Sequence, residues 1–253
     1  MKMKHVATGL MAMLLCASST FAVPIIRGTG NAALIGNDLT DLGNNGVEGS
    51  YVDGASVPPA VLAGFDARFF ASSEAAFGGG ENAYNVFDNQ TGGGNNKWCC
   101  QGVSEATDGS GQFVGADFSQ TLAAGSGTGI VLNRFTMTSS NDTPGRDPDV
   151  WALQGSNDGL IWTNIFSTAS NVFSATRNQV LEFSVANGDF ALPPAFDQFR
   201  LFVDSTAGAG VFALSELELL GNVVVTAAVP EPATATLGLL GVAGLMRRRR
   251  RTA

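Results

Sequence analysis

The chain predicts an all-β sandwich, and two observations carry that expectation. Runs with the two-residue period of half-buried strands recur at 112–118, 130–137, 151–154, 199–203 and 213–220. Between them stand turns rich in Gly, Asn and Asp, with no convincing helical period. In 213–220 (ALSELELL), Leu217 and Leu219 take the core face while Glu216 and Glu218 share the other side.

The most structured stretch is 141–162, NDTPGRDPDVWALQGSNDGLIW. Asn141, Asp142, Pro144, Gly145 and Pro148 break a ladder and predict an ordered loop. Trp151 to Gln154 alternates as a strand, Asn157-Asp158-Gly159 supplies a tight turn, and Trp162 restarts the apolar face. Trp151 and Trp162 are therefore expected in the core. Trp98 follows the Gly-rich loop 92–97 and is either a third core tryptophan or the candidate ligand-binding aromatic. Upstream, 67–77 reads as a first strand and 83–89 as a short helix or turn. Residues 23–66 are Gly-, Asn- and Asp-rich and read as a lead-in, with Asp38 and Asp41 in a solvated turn.

The two ends read differently. Lys2 and Lys4, an apolar run at 6–16, and small Thr20 and Ala22 make residues 1–22 a secretory signal peptide cut after Ala22. At the other end Pro230-Glu231-Pro232 precedes an apolar stretch, 233–246, and five arginines, 247–251. That stretch is short for a membrane span, which takes about 20 residues, and the arginines hold their end in the cytoplasm.

Between the ends, residues 23–229 carry seven basic residues against 21 acidic ones. Such a body repels nucleic acid and anionic membrane, so no nucleic-acid partner is expected. His5 is the only histidine and leaves with the signal, which excludes a Ser-His-Asp triad, a Cys-His pair and an HExxH zinc site. Catalysis would fall to carboxylates, Lys97, Tyr51 or Tyr84. Cys99 and Cys100 are the cysteines left once Cys16 is removed. They can close a vicinal disulfide, pair with another chain or stay reduced.

The segment W-x-L-x-GSNDG-x-x-W, from Trp151 to Trp162, resembles the discoidin-like family of F5/8 type C, galactose-binding-like jelly rolls. Ala83 to Trp98 and the closing FRLF and LSELELLG strands extend the likeness over 67–221. It implies a jelly-roll β-sandwich and a structural calcium ion (Ca2+) held by Asp88, Asn96 and Glu216 with carbonyls of the 87–96 loop. The tail resembles the PEP-CTERM sorting signal of Gram-negative bacteria. It implies a short transmembrane helix, transient inner-membrane anchoring, and removal by an exosortase-type membrane protease that recognises Pro230-Glu231-Pro232. The expected division is 1–22 signal peptide, 23–66 lead-in, 67–221 sandwich, 222–228 linker and 229–253 sorting signal.

Together these imply an exported cell-surface or matrix protein, a noncatalytic module for extracellular polysaccharide. The alternative is a structural biofilm component without a discrete ligand. The third is a glycosidase using a carboxylate pair such as Glu216 and Glu218.

Overall fold

Each period-two run becomes a strand, because alternate side chains can then enter one apolar layer while the backbone pairs sideways. The computed structural model describes residues 23–46, 64–72, 80–99, 111–122 and 128–225. In chain order the strands are β1 (Ile25–Thr29), β2 (Arg68–Ala71), β3 (Trp98–Cys99), β4 (Gln112–Asp117) and β5 (Thr128–Ser139). There follow β6 (Pro148–Ser156), β7 (Thr163–Ala169), β8 (Gln179–Ser184), β9 (Gln198–Thr206) and β10 (Ala213–Val225). Sheet A has the order β1-β8-β5-β10-β3 and sheet B the order β2-β4-β9-β6-β7. Every pairing in both is antiparallel. This is the expected all-β jelly-roll sandwich, two sheets with their apolar faces together.

The core is aromatic. Phe135 of β5 stacks on Phe183 of β8 with centroids 4.7 Å apart, and Trp151 of β6 meets Phe183 edge-on at 5.7 Å. Phe166 of β7 lies 4.9 Å from Phe183 and 5.1 Å from Trp151, so β5 and β8 of one sheet lock to β6 and β7 of the other. Met137, Leu217 and Leu219 join from sheet A, and Phe69, Val114 and Leu201 from sheet B. Trp151 is core, as its strand parity predicts.

The expected lead-in is structural. Ile25–Thr29 is the edge strand of sheet A, paired with β8. Asp38 and Asp41, read as a solvated turn, are both buried. The reason lies in β10, whose edge at Leu219 needs a partner beyond the two-residue β3. Leu39 N–H donates to Leu219 O at 2.9 Å, and Leu219 N–H donates to Asp38 Oδ2 at 2.7 Å. The arm thus completes the ladder with one main-chain and one side-chain rung. At its other end β10 passes the expected boundary at Gly221, because β5 begins at Thr128 and offers partners as far as Val225.

The loop at 141–147 is ordered, as expected. Pro144–Arg146 makes one 3-10 turn, and Arg146 Nη1 reaches Asp142 Oδ2 at 2.9 Å. Asp147 just beyond is fully buried. Arg177 grips both its carboxylate oxygens at 2.7 Å each. Burial raises the Asp147 pKa, against the lowering effect of the arginine. Arg177→Ala strands that carboxylate in the interior and should cost about 3–5 kcal/mol of unfolding free energy. Adding Asp147→Asn should recover part of the loss. Urea denaturation of both variants checks this; an unmoved midpoint in Arg177→Ala would show that the pair contributes nothing.

Candidate functional site

Two places gather the chemistry of this domain: an acidic cluster on the side of β10 away from the core, and a groove on the outside of sheet B. Glu216 and Glu218 point away from the core leucines, yet they are only 1% and 0% exposed. The arm at 31–42 and the 3-10 turn Ala83–Val86 with its following loop close over them. Glu218 accepts from Ile35 N–H at 3.1 Å, Gly36 N–H at 2.5 Å and the Thr136 hydroxyl at 2.5 Å. Asp38 accepts from Thr40 N–H at 3.1 Å and the Thr40 hydroxyl at 2.8 Å, besides Leu219 N–H. Burial lifts the Asp38 pKa to about 7, with the Glu218 charge adding to the rise.

Glu216 is the least compensated of these acids. Its Oε1 accepts from Asn89 N–H at 3.3 Å. Its Oε2 is buried with no hydrogen-bond partner among the described residues. Burial raises its pKa well above the usual carboxylate range, and the charges of Asp88, Asp38 and Glu218 raise it further.

Of the three expected calcium ligands, the fold brings the Asp88 loop onto Glu216. Asn96 joins this neighbourhood through its carbonyl, which accepts from the Ser215 hydroxyl at 3.0 Å. An orphaned buried carboxylate oxygen is a place where a hard cation, which takes oxygen ligands, would offset the repulsion, yet no group of three or more His, Cys, Asp or Glu among the described residues is arranged to hold a metal. The same burial removes the glycosidase reading of Glu216 and Glu218, because no substrate reaches them. Lys97 is also committed, 3.3 Å from both Glu81 and Asp142, and Tyr84 is buried.

Trp98 is not a binding aromatic. It is 0% exposed and packs edge-on against Phe212 at 5.3 Å, because β3 pairs with β10 and turns the indole into the core. Cys99 is buried beside it. Cys100 lies outside the described residues, and so do the signal peptide, Pro230, Glu231, Pro232 and the apolar stretch 233–246. No helix among the described residues is long and apolar enough to cross a membrane.

The half-buried aromatics lie on sheet B. Strand alternation sends Phe69, Val114, Leu201 and Leu153 inward, so Arg68, Phe70, Phe113, Arg200, Phe202 and Gln154 face outward. Trp162, expected in the core, is half-exposed beside them. It precedes β7 and its indole Nε1 donates to Gly159 O at 3.2 Å, so the ring lies on the outer face. The result is a groove of about 360 Å³ lined by Arg68, Phe70, Phe113, Asp117, Asp158, Trp162, Gln198 and Arg200. Phe70 and Trp162 have centroids 6.1 Å apart, and Phe70 and Phe113 6.2 Å.

Two glycines make this wall possible. Gly159 takes φ +67° in the turn before Trp162. A Cβ at Gly115 would stand 2.5 Å from the Phe70 ring, so glycine there lets that ring lie across β4. Asp158 fixes the turn by accepting from Leu160 N–H and Ile161 N–H at 2.8 Å each. Those bonds, Ile161 first, lower its pKa. Asp117 is paired with Arg68, so both acids of the groove have partners.

Residues 228–251 match the model of the PEP-CTERM protein-sorting motif. The chain thus carries the signal of an exported protein sorted at the membrane. No curated protein matches the chain. Among solved structures it is similar to a CBM32 module of Clostridium perfringens, CpGH89CBM32-5, solved with GalNAc-β-1,3-galactose. The identity is 18%, the coverage 61% of this chain and 95% of that one, and the TM-score 0.44. A family 32 module from C. perfringens NanJ, solved with galactose, gives 16% identity, 61% and 93% coverage and a TM-score of 0.41. A chitosan-binding module from Paenibacillus sp. IK-5 gives 20%, 62% and 96%, and 0.42.

Proposed function

We propose that the mature chain is a noncatalytic carbohydrate-binding protein of the cell surface or extracellular matrix, taking exopolysaccharide in the sheet B groove. The observation that carries this reading is the groove itself, with half-buried Trp162, Phe70 and Phe113 among Arg, Gln and Asp side chains. A pyranose ring presents flat patches of C–H to aromatic surface and hydroxyls to planar polar groups around it, and this wall offers both. The absence of histidine after signal removal and the closure of Glu216 and Glu218 support a binding role over hydrolysis. The matched tail supports export, transient inner-membrane anchoring and trimming by an exosortase-type protease. A calcium ion at Asp88 and Glu216, with carbonyls of the 87–96 loop, serves here as a staple between that loop and β10 rather than as a ligand contact.

Three measurements test the reading. On a glycan array, the mature chain should bind extracellular polysaccharide fragments, and Trp162→Ala should weaken binding at least tenfold at a temperature where circular dichroism shows the variant still folded. If the parent binds no glycan, the chain is a structural matrix component instead. For the ion, calcium at a hundredfold excess over its dissociation constant adds about 2.7 kcal/mol to stability. That is a rise of several degrees over the chelator-treated protein, and Glu216→Gln should abolish it; equal melting with calcium and chelator removes the ion. For the tail, intact mass of the surface-released protein should end near Pro230, and recovery of Arg247–Arg251 would rule out processing.

A further inference from the structure

We infer that the groove selects anionic saccharides, through Arg200 as the group that reads the negative charge. The inference rests on the groove being the saccharide site and adds the class of sugar. Seven basic residues lie between 23 and 229, and all are described. Six have a carboxylate within 4 Å: Arg27 and Arg134 share Glu182, Arg68 has Asp117, Lys97 has Glu81 and Asp142, Arg146 has Asp142, and Arg177 has Asp147. Arg200 has none among the described residues. In a body with three acids for every base, an arginine without one is an exception that its surroundings must explain.

Those surroundings are apolar and rigid. The Arg200 guanidinium lies 4.1 Å from the Trp162 ring centroid and 5.2 Å from those of Phe113 and Phe202. Aromatic faces attract a cation yet take none of its hydrogen bonds. Its Nε donates to Gln154 Oε1 at 2.7 Å, and Gln154 in turn donates to Asn164 Oδ1 at 2.8 Å, which fixes the plane of the fork. The two Nη groups have no protein acceptor among the described residues. Partial burial lowers the pKa to about 10, so the group stays charged at neutral pH.

A cation partly stripped of water, held in plane and open at its bidentate edge suits an oxyanion that presents two oxygens better than a hydroxyl. Asp117 is paired with Arg68, and Asp158, although it keeps its charge, is exposed, where water screens it. The oxyanion is the carboxylate of a uronic acid sugar or a sulfate ester; both use the same fork.

The test measures affinity of the mature chain for three probes by calorimetry at 50 and 300 mM NaCl. They are uronate oligosaccharides of several kinds, the same oligosaccharides as methyl esters, and sulfated oligosaccharides. The expected result is at least tenfold tighter binding of the uronates than of their esters, weakening with salt. Arg200→Gln should erase that preference, so that acid and ester bind the variant equally whatever their common affinity, and Arg200→Lys should restore it in part. Tightest binding of the sulfated set, lost in Arg200→Gln, assigns the oxyanion as sulfate. Equal affinity for acid and ester, or an acid preference that survives Arg200→Gln, overturns the inference and leaves the groove a neutral sugar site. Glycan binding that persists undiminished in Trp162→Ala overturns the groove, and this inference with it.

Discussion

Acidic side chains buried behind β10 are the constraint around which the domain is arranged. Glu216 and Glu218 have to project from the side of the strand that Leu217 and Leu219 leave over, and the chain then covers that side. A carboxylate taken from water demands donors, and here the backbone supplies many of them. N–H groups of Ile35 and Gly36 serve Glu218, that of Asn89 serves Glu216, and that of Leu219 serves Asp38. The donors at Ile35, Gly36 and Asn89, like Asp38 itself, come from segments poor in bulky apolar residues. These segments are held in place less by their own hydrophobicity than by acids that need their main chain.

That arrangement explains which parts of the fold were legible beforehand. Strand alternation locates a core face, and it located those of β4, β6, β9 and β10; on β5 Phe135 and Met137 are core as expected, but Leu132 is core in place of Val131, across a register shift at Leu220/Gly221. It is silent about the opposite face, which in an antiparallel sheet is usually wet. Nothing in the composition of 23–46 indicates that Asp38 would meet Leu219. The contact is between residues 181 positions apart, and it uses an aspartate where a pattern reader sees a polar turn. The β10 overrun past Gly221 has a similar origin, since its length is set by β5 and not by its own residues.

The aromatics show a second limit of the same kind. Trp162 leaves its expected core place for the outer face, and Trp98 takes the core one of its two readings. Parity holds along one strand and does not carry across a turn. Between Trp151 and Trp162 lie a register shift at Leu153/Gln154 and the Asp158 turn, and Trp162 stands just before β7 begins. Trp98, though next to a Gly-rich loop, enters β3 and pairs with β10. Arg200 could be placed in advance on an outward face, midway between core residues Phe199 and Leu201. Its isolation from every described carboxylate is visible only in three dimensions.

The course of β10 also bears on how the molecule matures. Its last residues pair with the start of β5, Ile130 bridges Phe196, and Asn157 Nδ2 donates to Ala195 O at 3.2 Å. Strand exit and Asp158 turn therefore share one pole of the sandwich, where Leu160 and Ile161 stand exposed. Seven residues separate Val225 from the apolar stretch that begins at Ala233, a tether of at most about 25 Å. In the proposed anchored form, a tether this short would hold the Asp158 turn, at the rim of the proposed groove, close to the lipid headgroups. Cutting the tail would then do two things at once: free the molecule and uncover that rim.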